Sequence, residues 1–162
     1  LNGLGDAEAI DAFTRCCGAR RFAEAMTGQR PFASRAALFG EAEAQWWRLS
    51  PADWLEAFTH HPKIGGDVEA LRAKFGATAA WSEGEQAGAT GADEATLEAL
   101  AHGNTASLER FGFIFIVCAS GKSAAEMLAL LDDRLPNDPA QEIFTAAGEQ
   151  AKITALRLEK LR

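Results

Sequence analysis

Phe111-Gly112-Phe113-Ile114-Phe115-Ile116-Val117-Cys118-Ala119 decides the fold class, because it is the one long run of aromatic and β-branched residues that taken alone reads as a strand. A lone strand buries its backbone without a partner, and the rest of the chain offers no second one. The run is therefore expected to be a buried extended segment or the end of the preceding helix, in an all-α protein. Composition agrees: the chain is rich in Ala, Leu and Glu, poor in Val and without Tyr. Its 162 residues suit a single-domain, compact helical bundle spanning 1–162, since a chain of that size buries roughly 70% of its unfolded surface.

Working outward, Asp93 starts a helix through Leu97 and Leu100 toward Asn104 and Phe111, and Ser123 caps another carrying Met127, Leu128, Leu130 and Leu131. Ser120-Gly121-Lys122-Ser123 ends like a phosphate-binding loop, but Ile116 stands where the earlier glycine belongs, so a turn and cap is the better reading. Asn137-Asp138-Pro139 signals a last helix, with Asp138 as cap, reaching nearly to Arg162. Toward the N-terminus, Asp6 precedes a first helix with Ile10, Phe13 and Cys17 on one stripe, ended by Gly18. A second helix over 20–26 stops at Thr27-Gly28, and Arg30-Pro31-Phe32 is an extended connection before Ser34 opens a third. Further helical pattern runs from Val68 to Phe75 and from about Ser82.

Ser50-Pro51-Ala52-Asp53 is a strong helix start, and the helix should run to about Thr59 with Trp54 and Phe58 facing inward. Continuing that spacing reaches His61, while His60 follows Asp53 and Glu56 toward solvent. Pro62 makes helical geometry unfavourable at His61, so this histidine sits just past a helix end on a loop opened by Gly65-Gly66. A histidine there is either a C-terminal cap or a proton-handling group aimed inward. The histidines lack metal-binding spacing: His60-His61 has no i,i+4 geometry and His102 has no second ligand near it, so zinc is rejected.

Ser82 and Glu85 have capping-box spacing, and Glu85-Gln86 also supplies an acceptor and a mixed donor for a polar ring. Arg157 lies in the last helix between Ile153 and Leu161 on the edge of an apolar stripe. It is either a snorkelling or ion-paired structural residue or a clamp for a substrate carboxylate, and local pattern leaves both open.

The formal charge of -7 and a pI near 5.0 disfavour nucleic acid as a partner, and a small-molecule anionic substrate held in a local positive pocket is expected instead. Cys16, Cys17 and Cys118 form neither an even disulfide set nor a CxxC motif, which fits a cytoplasmic location. No run is long enough for a membrane span and the start lacks a leader pattern, so a soluble, unprocessed chain is expected; Leu1 in place of Met leaves room for residues upstream.

Taken in order, Arg30-Pro31-Phe32, His61-Pro62-Lys63-Ile64-Gly65, Trp81-Ser82-Glu83-Gly84-Glu85-Gln86-Ala87-Gly88, Asn104 leading into Phe111 to Ile116, and Ile153 to Leu158 resemble the 2-oxo-4-hydroxy-4-carboxy-5-ureidoimidazoline (OHCU) decarboxylases of urate catabolism. No single piece is specific; the ordered set spans nearly the whole chain. The resemblance implies an all-α, often dimeric, cofactor-free lyase with a catalytic histidine at His61; Glu85 matches a substrate-lining position and is expected to join the catalysis by orienting His61 or tuning its charge. Pro62, Ser82, Gln86 and Ile116, Val117, Cys118 and Ala119 match positions that line the substrate. Arg157 is the better match to the active-site arginine and Arg134 the weaker. One departure is visible: the family usually has a tyrosine where Ser107 stands. A binding protein for a ureido or purine-derived ligand, without catalysis, is the runner-up. A third reading makes Trp46, Trp47 and Trp54 a docking patch, although core packing suits them better.

Overall fold

Helix α1 (Asp6–Cys17) ends because Gly18 takes a left-handed conformation, φ 91°, and donates its N–H to Thr14 O at 2.8 Å. That turn lets α2 (Arg20–Gly28) fold back on α1. The computed structural model describes residues 1–61, 68–73, 75 and 93–161, and these form two compact units, Leu1–His61 with Ile143–Arg162 and Pro62–Glu142. Among the described residues there is helix and no strand, as expected of an all-α chain. Pro62, Ser82, Glu85 and Gln86, with the helix expected from about Ser82, lie outside the described residues.

In the first unit α3 (Arg35–Arg48) starts at Ser34, whose Oγ accepts from Ala37 N at 3.0 Å. Helix α4 (Pro51–Thr59) starts at Ser50, where Asp53 returns a carboxylate to the Ser50 N–H at 3.0 Å, a complete capping box. Phe13, Phe22, Met26, Trp46, Phe58 and Leu158 are fully buried here. The indoles also carry polar handles: Trp46 Nε1 donates to Ala147 O at 2.9 Å, and Trp54 Nε1 to Trp46 O at 3.2 Å. Trp46 and Trp54 are therefore core residues, whereas Trp47 is partly exposed and stacks on exposed Phe144 with ring centres 5.1 Å apart. Arg30 ties the N-terminal turn down, donating to Leu4 O at 2.6 Å and Thr27 O at 3.1 Å and pairing with Asp6. Asp6 is the first helical residue and Gly5 the cap, one position earlier than expected.

In the second unit α5 (Glu94–Phe111), capped by Asp93, packs on α6 (Ala124–Arg134), capped by Ser123. Leu71 from a helical stretch at 68–73 joins Leu97, Leu100, Val117, Met127 and Leu131 in its core. Close approach of the two helices requires Gly103, since a Cβ there would collide with Leu131 Cδ2. The last helix, α7 (Pro139–Leu158), runs nearly to the Arg162 end, as its start signal and length predict.

The strand-like run resolves into the first of its two expected forms. Gly112, at φ 78°, ends α5 by donating to Leu108 O at 2.9 Å, and the chain to Ala119 is neither helix nor strand. Ile116, Val117 and Cys118 are buried. A buried backbone must still be paired, and side chains do here what a neighbouring strand would do. Arg134 Nη1 donates to Ile116 O and Lys122 Nζ to Cys118 O, each at 2.7 Å.

Candidate active site

Within the first unit, α4 delivers His60 and His61 at its C-terminus, where His60 N and His61 N donate to Ala57 O and Phe58 O at 3.1 and 3.3 Å. His60 is exposed and His61 half-buried, the division that the helical spacing predicts. Gly18 packs directly against the His60 ring: a Cβ added there would lie 2.8 Å from His60 Cβ. The αL turn that ends α1 therefore also sets the position of the histidine pair.

Facing His61 is a stripe of α7 at i, i+4 and i+7: Gln150, Thr154 and Arg157. His61 Nε2 is hydrogen-bonded to Gln150 Oε1. Gln150 Nε2 donates to Thr154 Oγ1 at 3.1 Å, and Thr154 is hydrogen-bonded to the Cys17 thiol. Gln150 is fully buried and Thr154 nearly so. Arg157 is half-buried, donates from Nη1 to Cys16 O at 3.3 Å, and lies close enough to act on His61 through its charge.

Burial is the main reason that the pKa of His61 falls below its ordinary 6.5; the Gln150 bond opposes this, and the charges of Arg157 and His60 add to it. Near neutrality His61 is therefore an uncharged imidazole able to accept a proton. Burial likewise pushes the Cys17 thiol up to about 12 and raises Cys16, so neither is a nucleophile at neutral pH.

The rival arginine has a different environment. In the second unit Arg134 is buried, with Nε and Nη2 on Glu142 Oε1 at 2.8 and 2.5 Å, Nη1 on Ile116 O, and the guanidinium 4.5 Å above the Phe115 ring. Asn137 Nδ2 holds the other Glu142 oxygen at 3.0 Å. Arg134 is thus a structural clamp on the 116–119 segment, and Arg157 is the arginine beside His61. Ser107, where a tyrosine was expected, is a buried residue of α5. An apolar cavity of about 280 Å³ in the first unit, lined by Phe39, Ala42, Trp46, Ala155 and Leu158 among others, includes neither His61 nor Arg157.

Gln150 and Thr154 were missed by sequence reasoning. Their signal was available in polar residues at 150 and 154 on a stripe otherwise made of Ala146, Ala147 and Leu158, which marks a buried polar partner rather than a solvated face.

The family model for OHCU decarboxylase matches residues 2–159. The chain belongs to the OHCU decarboxylase family. A relative in Arabidopsis thaliana, the uric acid degradation bifunctional protein TTL, is 41% identical over 152 residues, covering 93% of this family member and 46% of the relative. The 2-oxo-4-hydroxy-4-carboxy-5-ureidoimidazoline decarboxylase of Amia calva is 40% identical over 104 residues, covering 62% of this chain and 57% of that one. The chain thus spans about half the length of these two curated relatives. Among solved structures, a crystal structure of OHCU decarboxylase in the presence of (S)-allantoin superimposes with a TM-score of 0.73 at 38% identity, covering 93% of this chain and 96% of that one.

Proposed function

We propose that this OHCU decarboxylase family member converts 2-oxo-4-hydroxy-4-carboxy-5-ureidoimidazoline to (S)-allantoin in urate degradation, with His61 as its proton-handling residue. The observation that carries this reading is a neutral, half-buried His61 fixed by Gln150 next to Arg157, in a chain that matches the family over residues 2–159.

The chemistry follows from the substrate. When the bond to the carboxylate breaks and CO2 leaves, the electron pair moves into the ring and the adjacent C=N bond accepts it, the nitrogen taking a proton from water. The resulting enol becomes a carbonyl when its hydroxyl loses a proton and the neighbouring ring carbon gains one. The chain's own residues need to orient the substrate and move a proton between those two atoms. His61, uncharged at rest, takes the hydroxyl proton and returns it to one face of the ring carbon, which sets the S configuration. Arg157 clamps the substrate carboxylate. Glu85 and Gln86 hold the ring and ureido face, and Glu85 tunes His61; Pro62, Ser82 and the 116–119 segment complete the lining. The whole chain 1–162 acts as one domain of the family, is cytoplasmic and pairs as a homodimer.

The test couples urate oxidation to the purified protein and follows (S)-allantoin by circular dichroism. His61→Ala should lower kcat by about 10²- to 10⁴-fold without unfolding the protein, the range expected for loss of general acid–base catalysis. Racemic product at the spontaneous rate with the parent protein would leave the binding-protein reading in its place, and full activity in His61→Ala would remove the histidine from the chemistry.

A further inference from the structure

A side-chain amide with no exposed surface is costly unless both of its ends are hydrogen-bonded, and Gln150 meets that condition through His61 on one side and Thr154 on the other. Which end faces which partner decides where His61 carries its proton. Gln150 Nε2 donates to Thr154 Oγ1 at 3.1 Å and Gln150 Oε1 lies on His61 Nε2, so the amide NH2 faces Thr154 and the carbonyl faces His61. A carbonyl only accepts, so His61 must donate from Nε2. An uncharged imidazole with its hydrogen on Nε2 has its lone pair on Nδ1.

We infer that Gln150 is a positioning residue: anchored by Thr154 from the same face of α7, it fixes His61 as the Nε2–H tautomer and leaves Nδ1 as the nitrogen that exchanges a proton with the substrate. This rests on the catalytic reading of His61 given above. In the proton transfer, Nδ1 takes the hydroxyl hydrogen, the imidazolium keeps its Nε2–H on Gln150 Oε1, and Nδ1 then passes the hydrogen to the ring carbon, so the histidine ends as it began. A neutral amide suits this cycle better than a carboxylate. It accepts from Nε2–H in both states of the ring without stabilising the cation so strongly that the proton is retained.

Among the described residues, the groups that act on His61 agree with this assignment. Arg157 from α7 and His60 from its own segment disfavour a resting cation, and Cys17, reached through Thr154, is a thiol that carries no charge near neutrality. The resting ring is therefore one that a tautomer-setting acceptor can order, rather than an imidazolium donating from both nitrogens.

The experiment is ¹⁵N NMR of the full-length protein with labelled histidine, His61 being assigned by the signals lost in His61→Asn. The parent protein should show protonated Nε2 and unprotonated Nδ1 at pH 7.5. Gln150→Leu should mix the two tautomers, lower kcat by about 10-fold or more with little change in KM, and move the acid limb of the pH profile to lower pH. Gln150→Glu should keep the Nε2–H tautomer while moving that limb upward, because a carboxylate favours the imidazolium. An Nδ1–H tautomer in the parent protein, or a Gln150→Leu variant with tautomer and pH limb unchanged, would overturn the inference. Should Gln150→Leu fail to fold, the parent spectrum and Gln150→Glu still decide it. The spectrum also separates the two readings: full activity in His61→Asn would remove the catalytic role whatever the tautomer, whereas an Nδ1–H signal with an inactive His61→Asn would remove only the role of Gln150.

Discussion

Replacing Glu142 by alanine tests whether the 116–119 segment depends on a buried charge pair. The side chains of Arg134 and Glu142 are 9% and 1% exposed, so water does little to screen them. Glu142→Ala removes both Arg134 bonds to Oε1 and the Asn137 bond to Oε2, leaving a guanidinium whose remaining acceptor among the described residues is Ile116 O. Losing one partner of a buried pair costs about 3–5 kcal/mol. For a chain of this length each kcal/mol corresponds to about 2–4 °C in melting temperature, so the midpoint should fall by about 6–20 °C. Thermal melts followed by far-UV circular dichroism give the number directly. The double variant Arg134→Met with Glu142→Leu should recover much of the loss, since an apolar pair replaces the ionic one. It should still fall short of the parent by about 1–3 kcal/mol, the cost of orphaning the Ile116 carbonyl. The exposed Arg20–Glu24 pair is the control, and Glu24→Ala should leave the midpoint close to that of the parent. A Glu142→Ala midpoint within about 2 °C of the parent, or a double variant no better than the single one, would refute the clamp.

Three further outcomes follow from the first unit. Gly18→Ala, which combines φ 91° with a Cβ 2.8 Å from His60, should destabilise by about 1–3 kcal/mol and lower kcat/KM through displacement of the histidine pair; normal values of both in denaturation and steady-state assays would show that the turn yields freely. Because the folded pKa of His61 lies below 6.5, the unfolded chain binds more protons in the window between the two values. Stability from this group is therefore intact above pH 6.5 and falls as pH drops through that window, and the acid limb of kcat/KM should lie below 6.5; a limb above it would contradict the burial of His61. Arg157→Lys should raise KM more than it lowers kcat, because a lysine cannot form a two-point contact with a carboxylate, and unchanged constants would return Arg157 to a purely structural role.

The helix starts were legible because capping is local. Ser34, Ser50, Asp93 and Ser123 each accept from the N–H three residues on, and nothing distant is needed to read that. His61 was legible as an inward-facing loop residue for the same reason, since the α4 periodicity and Pro62 are its immediate neighbours. What surrounds it was not. Gln150 is 89 residues away in sequence, and the pairing becomes visible only once α7 is placed against the ends of α1 and α4. Trp46 and Ala147 are 101 residues apart and present the same difficulty.

The segment 112–119 shows why pattern alone misleads in a specific direction. Its aromatic and β-branched residues are what a buried strand requires, but those side chains describe burial rather than pairing. A strand is completed by another backbone; here Arg134 and Lys122 complete the carbonyls of Ile116 and Cys118. The two arginines that the sequence left as rivals also differ in what they hold. Arg134 donates to Ile116 O at 2.7 Å and to a buried carboxylate, so turning it toward a ligand would orphan both acceptors inside the core. Arg157 donates to Cys16 O at 3.3 Å, a long bond from a half-buried side chain, and is therefore held far less tightly than Arg134.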